Sequence, residues 1–197
     1  MSVSEIRVAG FGGQGIMLAA NIIGRAGCIH ANGYATMTQN YGPEARGGAS
    51  SAALVLSDEP ILYPYTTRPD ILVLLAQEAF TRFATEMNPG GMLLIEQDLV
   101  RVTGLPSSIR VYSIPATRMA EDLGKKIVMN VITVGFFAAK SGLLTKDAYR
   151  SAIADSVPAA ARDLNLRAFE AGYEYGLHAE PLTDSLETVG ANGVLED

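Results

Sequence analysis

Residues Ala9-Gly10-Phe11-Gly12-Gly13-Gln14-Gly15-Ile16 follow the short apolar run Ile6 to Val8 and precede apolar residues at helical spacing: Ile16, Leu18, Ala19, Ile22, Ile23 and Ala26. This pattern reads as strand, tight turn, helix. Glycine tolerates positive φ and lets backbone approach another group without a Cβ in the way. The helix that follows offers unpaired N–H groups to an anion. Gly10, Gly12 and Gly15 also satisfy the G-x-G-x-x-G spacing of dinucleotide-binding turns. Such a turn calls for an acid at the end of the second strand, where it binds the ribose hydroxyls. Tyr34 to Thr38 is that candidate strand, yet Thr36 to Asn40 holds no Asp or Glu. A nicotinamide-dependent dehydrogenase is therefore disfavoured. Phosphoryl transfer is disfavoured too, because Gly15 is followed by Ile16 and Met17 instead of a Walker lysine.

Outward from the turn, the periodicity predicts a first helix from Ile16 to about Ala31, stopped by Gly33. Cys28, among Ala26, Gly27 and Ile29, is expected to be a small buried side chain. A second polar loop, Tyr41-Gly42-Pro43-Glu44-Ala45-Arg46-Gly47-Gly48, precedes a small-residue strand from Ala49 to Leu56. Ordering such a loop is costly, which marks it as a candidate site. Arg46 beside Gly47-Gly48 could hold a phosphate or carboxylate bidentately; an internal Glu44–Arg46 pair explains the same residues equally well.

Asp70 to Ala76, Met92 to Glu96 and Ile109 to Ile114 read as buried parallel strands. Gln77, at the end of the first of these, is either a ligand contact or a helix cap. Helices are predicted from Gln77 to about Met87, from Pro115 to near Gly124, from Lys126 to Lys140, from Thr145 to about Asp155, and from Pro158 to Tyr175. The Lys126 to Lys140 helix is apolar nearly all round. Asn130 and Thr133 are its exceptions, explained by satisfied core hydrogen bonds or, for Asn130, by a bound cofactor or partner. Strands alternating with helices predict an α/β fold, a single three-layer α/β/α domain with a mostly parallel, Rossmann-like sheet over residues 1–180, followed by an acidic, loose tail over 181–197.

Composition narrows the function. At 197 residues with 48% hydrophobic and 18% charged residues, the chain can bury a sizeable core. A net charge of −6 argues against nucleic acid as a partner. No apolar run approaches a membrane span, and no signal segment opens the chain, so a cytoplasmic location is expected. With a single cysteine there is no set of thiolates for zinc or an iron–sulfur cluster. His30 and His178 lack an obvious partner in the sequence. No catalytic residue and no metal ligand stands out, so the two glycine-rich loops look like part of a site completed elsewhere.

Gly10-Phe11-Gly12-Gly13-Gln14-Gly15, then Tyr41-Gly42-Pro43-Glu44-Ala45-Arg46-Gly47-Gly48, then Ser57-Asp58-Glu59-Pro60-Ile61 and Pro69-Asp70, in that order and spacing, resemble the gamma subunits of 2-oxoacid:ferredoxin oxidoreductases, the pyruvate/ketoisovalerate oxidoreductase gamma-domain family. The similarity runs from about residue 5 to 177, and the Ser-Asp-Glu-Pro-Ile turn is most like the 2-oxoglutarate enzymes. The resemblance implies a heteromer that decarboxylates a 2-oxoacid on thiamine diphosphate with Mg, passes electrons through [4Fe-4S] clusters to ferredoxin, and forms an acyl-CoA. It further implies alpha and beta subunits as partners, with a delta subunit as an option; whether the isolated chain forms a homodimer is left open by the sequence. This chain would carry no cluster or thiamine motif and would help shape the site where coenzyme A enters. By that resemblance Gly12, Gly13, Gln14 and Gly15 form a first cofactor-binding loop, and Tyr41, Gly42, Pro43, Glu44, Arg46, Gly47 and Gly48 a second. A scaffold that only assembles the catalytic chains is the alternative.

Overall fold

The computed structural model describes residues 3–41 and 49–182. Six strands form one sheet: β1 (Ser4–Phe11), β2 (Tyr34–Tyr41), β3 (Ala49–Ser57), β4 (Ile71–Leu74), β5 (Met92–Glu96) and β6 (Arg110–Ile114), in the spatial order β2-β3-β1-β4-β5-β6. β1, β4, β5 and β6 run parallel, while β3 is antiparallel to both β1 and β2. The reversal has a simple cause. The connection from β2 to β3 spans only residues 42–48, too short for the crossover that a parallel pair requires. Phe11 therefore lies opposite Ala49, and Tyr41 opposite Ser50.

The parallel strands sort their side chains by alternation. Ile71 and Val73 of β4 and Met92 and Leu94 of β5 face one core, whereas Leu72, Leu74, Leu93 and Ile95 face another. Helices α1 (Ile16–Arg25), α3 (Ala116–Asp122), α4 (Met129–Ser141), α5 (Lys146–Ser156) and α6 (Arg162–His178) cover the first face, and α2 (Gln77–Phe83) covers the second. The result is a lopsided α/β/α sandwich. At its centre α4 is buried from Met129 through Ala138, packed so tightly on α6 that a Cβ on Gly172 would lie 2.7 Å from the Ile132 carbonyl carbon and one on Gly135 would lie 2.8 Å from Tyr173 N. Thr145 caps α5, accepting a hydrogen bond from Ala148 N at 3.3 Å.

Three sequence expectations change. Helix α1 ends at Arg25 and continues as a wider π-type turn, Ala26–His30, and Asn32, not Gly33, takes the positive φ of 56° that ends it. Cys28 is exposed. The buried stripe of this segment is Ala19, Ala20, Ile22, Ile23 and Ala26, and Cys28 falls outside it, on the solvent side. His30 has a partner that local sequence could not show, with Nε2 3.1 Å from Asp155 Oδ2 on α5. Residues 183–197, the bulk of the expected loose tail, lie outside the described residues.

Candidate functional site

The glycine turn joins the end of β1 to α1 and is held from within by its own glutamine. Gln14 Oε1 accepts a hydrogen bond from Phe11 N at 2.6 Å, and Gln14 Nε2 donates to Leu75 O at 2.8 Å. Each such bond is worth about 1 kcal/mol net. Together they tie the turn to the end of β4, 61 residues away in sequence. Gly10 is what makes room, since a Cβ there would sit against Gln14 Oε1 and 3.1 Å from Leu75 Cβ. The side chain of Gln14 thus positions the loop, with both of its polar atoms engaged inside the fold. Gly13 takes φ 98° and faces open space.

Gly15 serves the opposite end of the turn. It has φ 74°, and a Cβ there would lie 2.7 Å from Asn130 Cγ. Asn130, on the first turn of α4, donates from Nδ2 to Gly15 O at 3.3 Å across 115 residues of sequence. Its Oδ1 is buried and has no hydrogen-bond partner. Leaving such an acceptor unpaired costs about 1–3 kcal/mol. Thr133, by contrast, is satisfied by Met129 O at 3.0 Å. The expectation of satisfied core hydrogen bonds therefore holds for Thr133 and for one half of Asn130.

Asn130 forms part of the floor of a cleft of about 730 Å³, walled by Phe11, the turn, Met17, Val128, Pro158 and Leu164. No acidic side chain lines it among the described residues. The first turns of α1 and α4 both open onto it, and neither has an acid or a capping side chain. Each helix N-terminus carries roughly half a positive charge, and exposed Lys125 adds a full one at the rim. Buried Ser50 and Asn165 also reach the cleft. The arrangement can receive a mostly apolar group, with an anion tolerated beside Lys125 and the helix N-termini.

The structure brings the stems of both glycine-rich loops to one edge of the sheet. Phe11 ends β1, and Tyr41 and Ala49 bound the second loop directly beside it. Gly12, Gly13 and Gly15 line the cleft. Gly42, Pro43, Glu44, Arg46, Gly47 and Gly48 lie outside the described residues, as does the side chain of Tyr41. Gln77 is neither a cap nor a free ligand contact. It exchanges two hydrogen bonds with the backbone of Arg101, donating to O at 3.2 Å and accepting from N at 2.7 Å.

One residue that sequence reading missed is Glu96, a fully buried carboxylate at the carboxyl end of β5. It accepts hydrogen bonds from Asp98 N at 2.7 Å, Leu99 N at 2.9 Å and Thr117 N at 3.0 Å, which fasten the next loop and the start of α3. The available signal was a lone charge closing the apolar run Met92 to Ile95.

A mostly parallel sheet, a glycine turn at the carboxyl end of β1 and a second loop rooted beside it define an α/β domain built around a loop-lined edge. Residues 5–175 match the pyruvate ferredoxin/flavodoxin oxidoreductase family, and the chain belongs to it. More particularly, it is 45% identical over 172 residues to the 2-oxoglutarate synthase subunit KorC of Methanocaldococcus jannaschii, which spans 86% of this chain and 92% of that protein. Among solved structures, the gamma subunit of the keto/oxoacid ferredoxin oxidoreductase of Geobacter sulfurreducens superposes with a TM-score of 0.78 at 36% identity, covering 88% of this chain and 98% of that one. The fold also recurs, at 20% identity and a TM-score of 0.75, within the longer 2-oxoglutarate:ferredoxin oxidoreductase chain of Magnetococcus marinus, of which it spans 31%. That structure was solved with 2-oxoglutarate, coenzyme A and succinyl-CoA.

Proposed function

We propose that this chain is the gamma subunit of a 2-oxoglutarate:ferredoxin oxidoreductase and helps form the region where coenzyme A meets the active site. The similarity to the KorC subunit along nearly the whole of both chains carries the reading. In the reaction the bond between C1 and C2 of 2-oxoglutarate breaks, carbon dioxide leaves, two electrons pass to ferredoxin, and the acyl group is joined to the sulfur of coenzyme A as its thiol proton is released.

The redox groups do not fit this chain. A [4Fe-4S] cluster takes four thiolates, and the chain has one cysteine. Among the described residues no three His, Cys, Asp or Glu side chains converge as a metal site. Thiamine diphosphate, Mg and the clusters are assigned in this reading to the alpha, beta and any delta subunits. The role left to this chain is to bind and to orient. Arg46 is proposed to meet a phosphate of coenzyme A, on a loop that leads into β3, whose Ser50 lines the cleft. Exposed Leu62, Tyr63 and Tyr65, with the two tyrosine rings 5.5 Å apart edge to face, favour a further role in assembly.

Purification from native extract tests the reading. Two or three additional chains, brown colour and ferredoxin reduction that depends on 2-oxoglutarate and coenzyme A are expected. A colourless homodimer without that activity would overturn it, and faster turnover with pyruvate or 2-oxoisovalerate would redirect the substrate. Within the active complex, Arg46→Ala should raise the KM for coenzyme A; unchanged coenzyme A kinetics would dispose of the phosphate contact.

A further inference from the structure

Strand β2 forms one edge of the sheet and carries nothing that keeps another strand away. It runs for eight residues, Tyr34-Ala35-Thr36-Met37-Thr38-Gln39-Asn40-Tyr41, without a charge, a proline or a glycine. It pairs one for one with β3, so no bulge turns it aside, and no described strand adds to its outer side. Such an edge offers a row of backbone N–H and C=O groups that can continue the sheet; charge, proline, bulges and shortness are the usual means of blunting it. The opposite edge is blunted. β6 has only five residues, begins at exposed Arg110, and its Val111 O accepts a hydrogen bond from Leu182 N at 2.8 Å.

Exposed apolar side chains gather around the open edge. At the entry to β2, Ile29 is 49% and Tyr34 46% exposed. Thr36 Oγ1 donates to Pro64 O at 3.3 Å, which brings the segment bearing exposed Leu62, Tyr63 and Tyr65 beside the same strand. Ala35 and Met37 point to the larger core and are only partly covered by it.

Charge and symmetry decide the occupant. Like charges directly opposite destabilise an antiparallel pair, and β2 has no charge, so the strand is compatible with a copy of itself. Two identical antiparallel strands in one sheet are related by a twofold axis normal to the sheet. That axis keeps the core-facing residues of both copies on the same side, so opposite residues share a face and one residue lies on the axis opposite itself. Centring the pair on Met37 uses residues 34–40. Met37 then meets the Met37 of the second copy on the core side, Thr36 meets Thr38 on either side of it, and Tyr34 meets Asn40.

We propose that β2 is a self-pairing edge: two copies of this chain join β2 to β2, antiparallel about Met37, and merge their six-stranded sheets into one continuous sheet. The pairing rests on the strand itself and goes beyond the proposed function. Within a heteromer, the same contact joins two gamma subunits and thereby two copies of the assembly.

Sedimentation and cross-linking of the full chain test the proposal. The unmodified chain is expected to be a dimer. In a Cys28→Ser background, which removes the native thiol, Met37→Cys sets two sulfurs at the axis, where Cα atoms about 4.5–5.5 Å apart are within disulfide reach. Oxidation should link the chains covalently. Thr36→Cys, roughly 8 Å from its own copy across the axis, should not link. Met37→Lys and Met37→Glu each set like charges opposite one another and should weaken the dimer at least tenfold, whereas an equal mixture of the two should restore it. A monomeric unmodified chain would overturn the proposal, as would a dimer that Met37→Cys does not link and Met37→Lys does not weaken. If a strand of another subunit covers the edge in the native complex, Met37→Cys will not link there, and self-pairing is likewise overturned. Failure of the proposed function looks different: the complex would show no 2-oxoglutarate-dependent ferredoxin reduction, whatever the state of β2.

Discussion

Replacing Gly15 by alanine tests the central contact of the turn. Residue 15 has φ 74°, a left-handed conformation that costs a residue with a Cβ about 1–2 kcal/mol. The added methyl would lie 2.7 Å from Asn130 Cγ and 3.0 Å from its Cβ. Asn130 sits on α4, which is buried along most of its length and cannot retreat. Crowding of that kind costs about 1–3 kcal/mol, and displacement of the Asn130–Gly15 hydrogen bond about 1 kcal/mol more. The expected loss is about 4 kcal/mol, a large share of the roughly 5–15 kcal/mol that stabilise a typical domain. With an m-value of about 2 kcal/mol/M, the urea midpoint should fall by about 2 M, and the melting temperature by about 8–16 °C. Far-UV circular dichroism is the suitable probe, because the chain has no tryptophan.

Two further variants separate the causes. Gly13→Ala, at φ 98° with nothing within 4 Å of the added carbon, should cost only the backbone share of about 1–2 kcal/mol. In an Asn130→Ala background, Gly15→Ala should likewise fall to about that value, giving a coupling of about 2 kcal/mol between the two sites. If Gly15→Ala costs no more than Gly13→Ala, or costs the same with and without Asn130, the contact does not shape the turn and the reasoning fails.

Two other outcomes follow from buried groups. Glu96→Ala removes the acceptor of three backbone N–H groups and should destabilise the chain by about 3 kcal/mol, with Glu96→Gln in between; a loss under about 1 kcal/mol in thermal unfolding would show that water replaces the carboxylate. Burial raises the pKa of the Tyr149 phenol, whose hydroxyl has no hydrogen-bond partner, above its ordinary value of 10.0. The unfolded chain therefore loses this proton first, and stability falls as pH rises past about 10. Tyr149→Phe should flatten that alkaline decline, and an unchanged slope in urea titrations between neutral and alkaline pH would refute the assignment.

Local pattern carried much of the architecture. Met92 to Glu96 was legible to the residue because an apolar run covered on both faces needs no distant information. The all-round apolar helix emerged for the same reason, as did the strand–turn–helix at Gly10 to Gly15. The site was legible only in outline. Gln14 looked like a ligand contact because nothing local shows that Leu75 O will lie beside it, and Glu96 passed unnoticed because its three donors come from two separate segments.

Taken by itself, the chain of residues determined which segments become strands and helices, the glycine turn at the end of β1, and the family that the two loop motifs mark. Those features depend on spacing, backbone freedom and side-chain periodicity, all of which are local. Tertiary structure alone decided the antiparallel insertion of β3, the pinning of the turn by Gln14, and the meeting of Gly15 with Asn130. Each depends on contacts between residues far apart in sequence: β3 against β1, Gln14 against Leu75, and Gly15 against Asn130 once α4 has been buried.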